Sequence, residues 1–436
     1  MEKIILVYPD YRGGDIFNGQ YLPVGLGYLA RALENAQIQY KTIDLNIDSI
    51  DKLFDEIKYF LPHFLGISMM SFRCKATYQL IANLKSKFPN LTIIVGGPHV
   101  AANKDKVMKE CLFVDIAVSR EGETALVDIV GGRPLPTIKG IFYRQGAKIY
   151  FSGERDFIQN LDDIDFPTYK GFNLSRYGKR MQISSSRGCP YECIFCGAPE
   201  ILGRYWRKRS AKSMIEEFDY WYEKGYRNFY FNDSNFAVDK IRIWNFCEEI
   251  RKRNPNVSFR SDGLRADHLD KELLVQMREA KFTHLSFGVE SGSDKVLLNL
   301  RKGETRAQIE ITIATAVNLG FYVTLFFLLG CPGEDKEDIR QSFQLACKYR
   351  VERVYFFNLT PIPGTEYYRW AVAKGYIDEF GGNYPEDRFG FPDKMLFGTG
   401  NMPKEELISW RRSARWLERK IRWQFRLERL TRKFIL

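Results

Sequence analysis

The sequence has 436 residues, of which 45% are hydrophobic, 27% charged and 15% aromatic, and its formal net charge is +11. This composition supplies apolar side chains for more than one hydrophobic core, and it excludes disordered, collagen-like and low-complexity proteins. No run of eighteen apolar residues is present and the N-terminus lacks the layout of a signal peptide, so we expect a soluble, cytoplasmic protein. Residues 403–436 contain eleven Lys and Arg and four Glu, so this segment carries most of the net positive charge.

The first part of the chain alternates short apolar runs with amphipathic helical segments, a pattern that favours buried parallel strands joined by helices. The strand-like runs are residues 4–8, 40–45, 64–70, 91–95 and 115–118. These β-α steps predict a doubly wound, Rossmann-like α/β domain over residues 1–135. Residues 136–180 interrupt the rhythm and are predicted to form a hairpin and a linker.

A second alternation begins at residue 181. Six strand-like runs separated by helical segments predict a partial (β/α)6 barrel over residues 181–370, six of the eight units that close a full barrel. Residues 371–436 are predicted to form a C-terminal extension with a basic helical tail. The predicted fold class is therefore α/β, with a doubly wound domain followed by the partial barrel.

Three of the eight cysteines, Cys189, Cys193 and Cys196, lie within eight residues, directly after the first strand of the predicted barrel. Barrel enzymes carry their chemistry at this carboxyl end of the strands. Three thiolates on one loop suit a [4Fe-4S] cluster, in which one iron keeps a position open for a substrate or cofactor. Zinc is the alternative, although a structural zinc site takes four ligands and no further Cys or His is near in sequence.

The C-x3-C-x2-C spacing, followed by six β-α units, resembles the radical S-adenosylmethionine (SAM) superfamily. The resemblance implies that the three cysteines hold a [4Fe-4S] cluster whose open iron is chelated by the amino and carboxylate groups of SAM. Electron transfer into the sulfonium then gives a 5′-deoxyadenosyl radical that abstracts hydrogen from the substrate. The resemblance also implies an electron donor such as flavodoxin or ferredoxin.

Further positions match the SAM contacts of that superfamily. Phe195 corresponds to the aromatic residue beside the adenine, with loop packing as the alternative. Asn232 and Asp233 end the second strand, where the superfamily binds the methionyl amino group. Arg265 and Glu290, after the third and fourth strands, correspond to polar contacts with SAM, and solvated or salt-bridged side chains are the alternative for both.

A doubly wound domain ahead of such a barrel resembles the cobalamin-binding subgroup of these enzymes. Small residues at strand ends let the backbone approach a nucleotide tail. The element Asp-x-His-x-x-Gly, which donates the lower cobalt ligand in many cobalamin domains, is absent after the first strand, so a domain without cofactor is the alternative. The candidate cobalamin-binding residues are Ser68, Met69, Gly96, Gly97, His99, Glu121 and Gly122.

The resemblance implies a radical SAM enzyme in which methylcobalamin donates a methyl group to an unactivated carbon. A radical cyclisation, C–C coupling or other oxidative rearrangement, as in the anaerobic cyclase of chlorophyll synthesis, is the alternative reaction. A non-enzymatic cobalamin or redox sensor is the alternative class. Four aromatic residues of the barrel strands either fill the core or contact the substrate: Phe326, Phe327, Tyr355 and Phe356.

Apolar residues of the basic tail recur at three- and four-residue steps and predict an amphipathic helix. The predicted apolar face is Leu407, Trp410, Ala414, Leu417, Ile421, Leu427, Leu430 and Phe434. Arginines from Arg411 to Arg432 make up the other face, and Trp416 and Trp423 lie towards the boundaries. One interpretation is a helix packed on the barrel with a solvated basic face. The other is peripheral membrane contact, which would favour a lipid or lipid-linked small-molecule substrate. No nucleic-acid partner is expected, because no recognition module accompanies the charge.

Overall fold

The structure is a computed structural model that describes residues 2–10, 21–378 and 397–433. The chain divides into two compact units. Among the described residues, the first unit contains 2–10, 21–178 and 197–203, and the second contains 179–196, 204–378 and 397–433.

The first unit is built on a seven-stranded sheet of order β2-β1-β3-β4-β5-β6-β7. Its strands are β1 Lys3–Tyr8, β2 Gln39–Asp44, β3 Phe64–Ser68, β4 Thr92–Gly96, β5 Ile116–Val118, β6 Ile141–Gln145 and β7 Lys148–Phe151. Its helices are α1 Val24–Asn35, α2 Ile50–Phe60, α3 Cys74–Lys87, α4 Pro98–Asn103, α5 Lys106–Glu110, α6 Glu123–Val130 and α7 Ala198–Leu202. Strands β1 to β5 are parallel, as predicted.

Both faces of this sheet are covered by helices, because alternate residues of a strand point to opposite faces. Ile5 and Val7 of β1 join a core formed with α2, α3 and α5. Ile4 and Leu6 join a second core formed with α1 and α6. This arrangement confirms the doubly wound prediction. The hairpin β6–β7, which the sequence pattern sets apart, instead pairs antiparallel with β5 and extends the same sheet, so the short strand β5 is not left as an open edge.

The second unit contains a parallel six-stranded sheet of order β15-β14-β13-β12-β11-β8 and a two-stranded ribbon, β9–β10. Its strands are β8 Arg180–Ile183, β9 Ser186–Arg187, β10 Arg207–Lys208, β11 Asn228–Phe231, β12 Ser258–Leu264, β13 Phe282–Glu290, β14 Tyr322–Leu329 and β15 Arg353–Asn358. Its helices are α8 Ala211–Glu223, α9 Lys240–Arg253, α10 Lys271–Glu279, α11 Asp294–Asn299, α12 Arg306–Asn318, α13 Lys336–Lys348, α14 Glu366–Ala373 and α15 Lys404–Lys433. The strand order follows the chain, which confirms the predicted partial barrel.

The last helix covers one edge of this sheet. β15 is an edge strand, and the Phe356 N–H on it donates to Glu418 Oε1 of α15 over 2.8 Å. Arg411 in turn donates to the same oxygen over 3.0 Å and is 5% exposed. The prediction that Arg411 belongs to a solvated basic face is therefore wrong. A carboxylate with a buried counter-charge thus accepts one backbone N–H at this edge, where the described residues supply no further strand.

The barrel-facing side of α15 follows a straight helical period, and this corrects the predicted apolar face. Leu407, Ala414, Leu417 and Ile421 are buried as predicted. The contact continues through Phe425, whose ring lies 5.9 Å from that of Tyr322. Leu427 and Leu430 are exposed instead, because a helix turns about 100° per residue and Leu427 lies well round from Ile421. Phe434 and the side chain of Arg432 lie outside the described residues. No helix within the described ranges is long and apolar enough to cross a membrane.

Candidate active site

The cysteine loop follows the first strand of the six-stranded sheet. The short strands β9 and β10 pair antiparallel around it, with Ser186 opposite Lys208. Cys189, Cys193 and Cys196 are partly exposed thiols that form no disulfide, and Cys196 N–H donates to the Cys193 carbonyl over 3.2 Å in a tight turn. The structure therefore brings the three thiols to one loop at the carboxyl end of the sheet, as predicted.

Neighbouring elements anchor this loop through its backbone. Ile194 N–H donates to the Leu300 carbonyl at the end of α11 over 3.1 Å, and Tyr367 N–H at the start of α14 donates to the Ile194 carbonyl over 2.9 Å. The Ile194 side chain belongs to a small apolar cluster with both of these residues, and Phe195 packs against that cluster while staying partly exposed. The loop thus has a fixed backbone and leaves the Phe195 ring at its surface.

The loop's donor set fits an iron–sulfur cluster by its chemistry. In the described parts of the chain, no three His, Cys, Asp or Glu side chains are already gathered in metal-binding geometry. Three thiols on one anchored loop are nevertheless the ligands that such a cluster takes. Burial raises the pKa of Cys193 to about 11, and the nearby Lys302 ammonium acts in the opposite direction. Because metal binding displaces the thiol proton, that cation favours the ligating form.

Asn232 and Asp233 adjoin in sequence but have different surroundings. Asp233 is buried, and its carboxylate accepts hydrogen bonds from the backbone N–H and the hydroxyl of both Ser185 and Ser186. Asn232 is exposed and donates its amide to Gln182 Oε1 over 2.9 Å. Asp233 thus fixes the segment that enters the cysteine loop, whereas the Asn232 carbonyl oxygen remains able to accept a hydrogen bond.

The guanidinium of Arg265 is held on several sides. Its Nε and Nη2 donate to the Asp267 carboxylate over 3.1 and 2.8 Å, and its Nη1 donates to the Lys302 carbonyl. Its plane lies 3.6 Å from the ring centroid of Tyr191, the second residue after Cys189. Tyr191 Oη is also hydrogen-bonded to His268 Nε2. Arg265 therefore connects the cysteine loop to the loop after β12.

Glu290 ends β13 in an unusual backbone conformation. Its φ is +64°, and the pairing of β13 with β14 shifts between Gly288 and Glu290. Its carboxylate accepts a hydrogen bond from Lys302 Nζ over 3.1 Å. A Cβ on Gly288 would lie 2.6 Å from Glu290 Oε1, so a larger residue at position 288 would displace the folded-back carboxylate. Strained backbone of this kind is concentrated at functional sites.

Lys302 is a buried cation shared by two carboxylates. Its Nζ lies 3.1 Å from Glu290 and 3.5 Å from Glu304 Oε2. Burial alone would lower the pKa of Lys302, but Glu290 and Glu304 outweigh burial and raise it, so the side chain stays charged. Glu304 Oε1 also accepts the Ala266 N–H over 2.7 Å. In the sequence, Lys302 and Glu304 only flank Gly303, and their pairing is seen in the structure alone.

The turn after β14 carries a further buried carboxyl group. Glu334 Oε2 accepts the N–H groups of Gly330 and Cys331 over 2.7 and 3.2 Å, whereas its Oε1 is buried without a hydrogen-bond partner. Burial raises the pKa of Glu334 to about 8. Tyr367 Oη donates to the Gly330 carbonyl over 3.2 Å. Glu334 thus closes a turn on the same apolar cluster that anchors the cysteine loop.

Aromatic residues of β14 and β15 separate onto two faces. Phe327 and Phe356 are buried with ring centroids 4.7 Å apart, and Phe356 contacts Phe343 of α13. Phe326 and Tyr355 point the other way, are only half-buried and lie 5.8 Å apart. Phe357 lies about as close to both of them, at 5.9 and 6.0 Å. The first pair therefore fills the core, while the other three rings lie on the face turned from the helices.

In the first unit, the structure brings two of the predicted cobalamin elements together. Met69 N–H donates to the Gly96 carbonyl over 2.8 Å at the adjacent ends of β3 and β4. Gly97 has φ +94°, and a Cβ there would lie 3.2 Å from Ser68 Oγ and 3.1 Å from the Met69 carbonyl. Close backbone approach at this sheet edge thus depends on a glycine. The Met69 side chain itself is buried in the core.

The other predicted cobalamin residues make contacts within the chain. His99 is fully buried, its Nε2 is hydrogen-bonded to Tyr78 Oη over 3.0 Å, and its Nδ1 to Ser71 Oγ over 3.1 Å. Burial lowers the pKa of His99 to about 3, so the ring is neutral. Glu121 accepts the Ile158 N–H over 2.7 Å. Gly122 precedes α6 with an ordinary negative φ of −94°. His99 and Glu121 therefore support the loops at this edge from within.

Two domain families match the chain. Residues 183–346 match the radical SAM superfamily, and residues 16–130 match the B12 binding domain. The solved structure of the radical SAM methyltransferase TsrM from Kitasatospora setae has the same fold, with a TM-score of 0.74, 18% identity, and coverage of 84% of this chain and 77% of that one. That structure contains cobalamin and a [4Fe-4S] cluster.

Curated relatives extend over most of the sequence. An uncharacterised methyltransferase of Pyrococcus horikoshii is 29% identical over 390 residues, covering 86% of this chain and 84% of the relative. An anaerobic magnesium-protoporphyrin IX monomethyl ester cyclase of Cereibacter sphaeroides is 26% identical over 384 residues, covering 83% and 62%. A cysteine loop at the mouth of a six-stranded parallel barrel defines the class of radical SAM enzymes. The chain therefore contains a B12 binding domain at residues 16–130, followed by a domain of the radical SAM superfamily at residues 183–346.

Proposed function

We propose that this protein is a cobalamin-dependent radical SAM methyltransferase that acts on an unactivated carbon of a small molecule with a hydrophobic part. The observation that carries the proposal is the anchored loop of Cys189, Cys193 and Cys196 beside the Glu290–Lys302 pair, in a chain with a B12 binding domain. When bound, the cluster with SAM supplies radical hydrogen abstraction, and cobalamin supplies a carrier for the methyl group.

Some residues around the cysteine loop are proposed to contact SAM, and others to position the loop. The Asn232 carbonyl oxygen is suited to accept a hydrogen bond from the methionyl ammonium of SAM. Glu290 offers a carboxylate oxygen to donor groups of SAM, and Lys302 offsets its charge. Asp233 and Arg265 act as positioning residues, because Asp233 holds the segment that enters the loop and Arg265 packs on Tyr191 within it. Phe195 offers a partly exposed ring for the adenine.

The substrate is proposed to contact the three rings on the inner face of the barrel. Phe326, Tyr355 and Phe357 are half-buried and lie within 6.0 Å of one another, unlike the fully buried rings on the opposite face. Half-buried aromatic side chains that converge on one surface favour an apolar or aromatic partner. This supports a hydrophobic or lipid-linked substrate.

Cobalamin is proposed to lie at the edge formed by β3 and β4. Ser68, Gly96 and Gly97 border it, because the positive φ of Gly97 and its close packing against Ser68 and Met69 bring the ends of the two strands together there. His99 and Glu121 would hold the surrounding loops, and the neutral, buried His99 would not ligate cobalt.

A radical cyclisation is the second candidate reaction, favoured by the cyclase relative, which matches nearly as much of this chain as the methyltransferase does. The two reactions leave different products of SAM. Methyl donation leaves S-adenosylhomocysteine and adds 14 Da to the acceptor by the replacement of H by CH3, roughly one methylene group in mass. Radical initiation without methylation leaves 5′-deoxyadenosine and methionine, with no S-adenosylhomocysteine.

Anaerobic purification with iron, sulfide and cobalt analysis tests the proposal. We expect about four iron per chain from a cubane cluster, cobalt close to one per chain, and S-adenosylhomocysteine formation in the presence of reduced flavodoxin or ferredoxin. Cys193→Ala should remove the cluster absorbance, and Cys347→Ala, at an exposed free cysteine, should leave it unchanged. Full cluster content in Cys193→Ala would refute the ligand assignment. Formation of 5′-deoxyadenosine without S-adenosylhomocysteine would favour the cyclase.

A further inference from the structure

The helix α15 has a second apolar face, opposite the one that packs on the barrel. Trp416, Trp423, Leu427 and Leu430 are 64%, 63%, 39% and 55% exposed. At about 100° per residue these four positions fall within a sector of about 60° on the helix surface, and at 1.5 Å per residue they span about 21 Å. They form one continuous line, called here the outer stripe, with a tryptophan pair at one end and a leucine pair at the other.

The outer stripe is bordered by positive charge. The only acidic residue between positions 412 and 427 is Glu418, which faces the barrel and is paired there with Arg411. Lys420 Nζ lies 5.1 Å from the Trp416 ring centroid, so a cation sits directly beside the stripe. The exposed basic side chains of this stretch are Arg412, Arg419, Lys420, Arg422 and Arg426. This stretch of the helix therefore presents an apolar centre, and every exposed charged side chain between positions 412 and 427 is a cation.

We propose that the outer stripe and its basic border dock the protein on a membrane surface that contains anionic lipids. Indole rings favour the headgroup level and leucines the acyl boundary, while the arginines meet lipid phosphates. Charge complementarity selects this partner. Two copies of the same helix would face each other with like charges, and nucleic acid offers no apolar surface of this length to four aligned Trp and Leu side chains.

Contacts with the barrel fix the orientation of α15. Glu418 and Arg411 attach the opposite side of the helix to β15, and Arg429 lies 5.6 Å from the Tyr322 ring centroid. The outward direction of the stripe is therefore fixed by the fold before any lipid is met. The helix does not need to fold on the membrane, so little ordering entropy opposes binding.

Vesicle co-sedimentation of the full chain tests the proposal without SAM or cofactors, so its outcome is separate from that of the methyl-transfer assay. We expect pelleting with vesicles of phosphatidylcholine and phosphatidylglycerol at physiological salt, and little with phosphatidylcholine alone. The apolar variant is Trp416→Ser, Trp423→Ser, Leu427→Ser and Leu430→Ser combined. The charge variant is Arg412→Gln, Arg419→Gln, Lys420→Gln and Arg426→Gln combined. The control variant removes four exposed charges elsewhere in the second unit, as Lys212→Gln, Lys224→Gln, Lys271→Gln and Lys374→Gln.

Both tail variants should lose the anionic-vesicle binding, the charge variant by about five-fold per basic side chain removed. The control variant should keep it, and all three should melt like the unchanged protein because the altered side chains are exposed. Brominated lipid should quench tryptophan emission, and Trp416→Phe with Trp423→Phe should remove that quenching.

Three results would overturn the proposal. The first is equal pelleting of all variants, or no pelleting of the unchanged chain. The second is a dimer that becomes monomeric in the apolar variant while no form binds vesicles, which would assign the stripe to a second copy. The third is oligonucleotide binding that the charge variant loses while no form binds vesicles, which would assign the border to nucleic acid.

Discussion

Replacing Asp233 by Ala separates a positioning role from direct contact with SAM. The substitution leaves the N–H groups of Ser185 and Ser186 buried without an acceptor, while the two hydroxyls can turn to other partners. Each buried N–H left without a partner costs about 1–3 kcal/mol, so we expect a loss of about 4 kcal/mol in the stability of the second unit. For a unit of this size that corresponds to a fall of about 8–16 °C in Tm.

The matched substitution is Asn232→Ala at the neighbouring position. Asn232 is exposed and makes one hydrogen bond to Gln182, so its loss should change Tm little. Loss of its carbonyl oxygen should instead weaken SAM binding by about ten- to one-hundred-fold, as for a hydrogen bond to a charged group. The assays are differential scanning calorimetry, iron content and equilibrium dialysis with SAM, all on anaerobically reconstituted protein.

The two variants should therefore lose different properties, stability in one and SAM affinity in the other. Asp233→Ala should lose Tm and iron together, while the fraction that keeps its iron binds SAM with normal affinity. Asn232→Ala should keep Tm and iron and lose SAM affinity. An Asp233→Ala protein with unchanged Tm and iron content but without SAM affinity would show that Asp233 contacts SAM directly and would refute the reasoning.

Three other substitutions follow from buried groups. Gly288→Ala should displace Glu290 and weaken SAM binding about ten-fold with iron content unchanged, by equilibrium dialysis; unchanged affinity would remove Glu290 from the site. Glu334 has a folded pKa of about 8, above its ordinary value of 4.5, so the protein loses stability as pH rises between those values. Between pH 6 and pH 8, Glu334→Gln should abolish about 2–3 kcal/mol of this loss of stability, which corresponds to about 5–10 °C in Tm. The same dependence of Tm on pH in the variant and in the unchanged protein would contradict this. Glu418→Gln leaves Arg411 without a counter-charge and should cost about 3 kcal/mol, whereas replacing both by Met should recover only part of it, because the Phe356 N–H then loses its acceptor.

Much of the fold could be predicted because its signals are local. Apolar runs in β1 to β5, in β8 and in β11 to β15 mark buried parallel strands, since covered sheets need apolar residues on both faces. The cysteine loop was predictable for the same reason, because three ligands within eight residues need no tertiary information. The hairpin β6–β7 was found as a hairpin, but its place in the sheet depended on a short strand β5 that offers an open edge.

The side-chain networks could not be predicted, because each depends on contacts between distant segments. Whether Asp233 holds a backbone or meets a ligand is decided by Ser185 and Ser186, nearly fifty positions earlier. The pairing of Glu290 with Lys302 requires a positive φ and a shift in strand register, neither of which has a residue signal beyond Gly288. The substitutions at Asp233 and Gly288 described above test the roles of these two networks.

The helix that covers β15 also affects how the protein is made. Phe356 and its partner Glu418 are 62 positions apart, so β15 is synthesised well before the carboxylate that completes its edge. At about 5–20 residues per second, a ribosome needs about 3–12 s to add that stretch. During this interval the nascent chain carries an exposed row of backbone donors and acceptors, the kind of edge on which strands of other chains pair. The final step in the maturation of the barrel is therefore the arrival of its last helix.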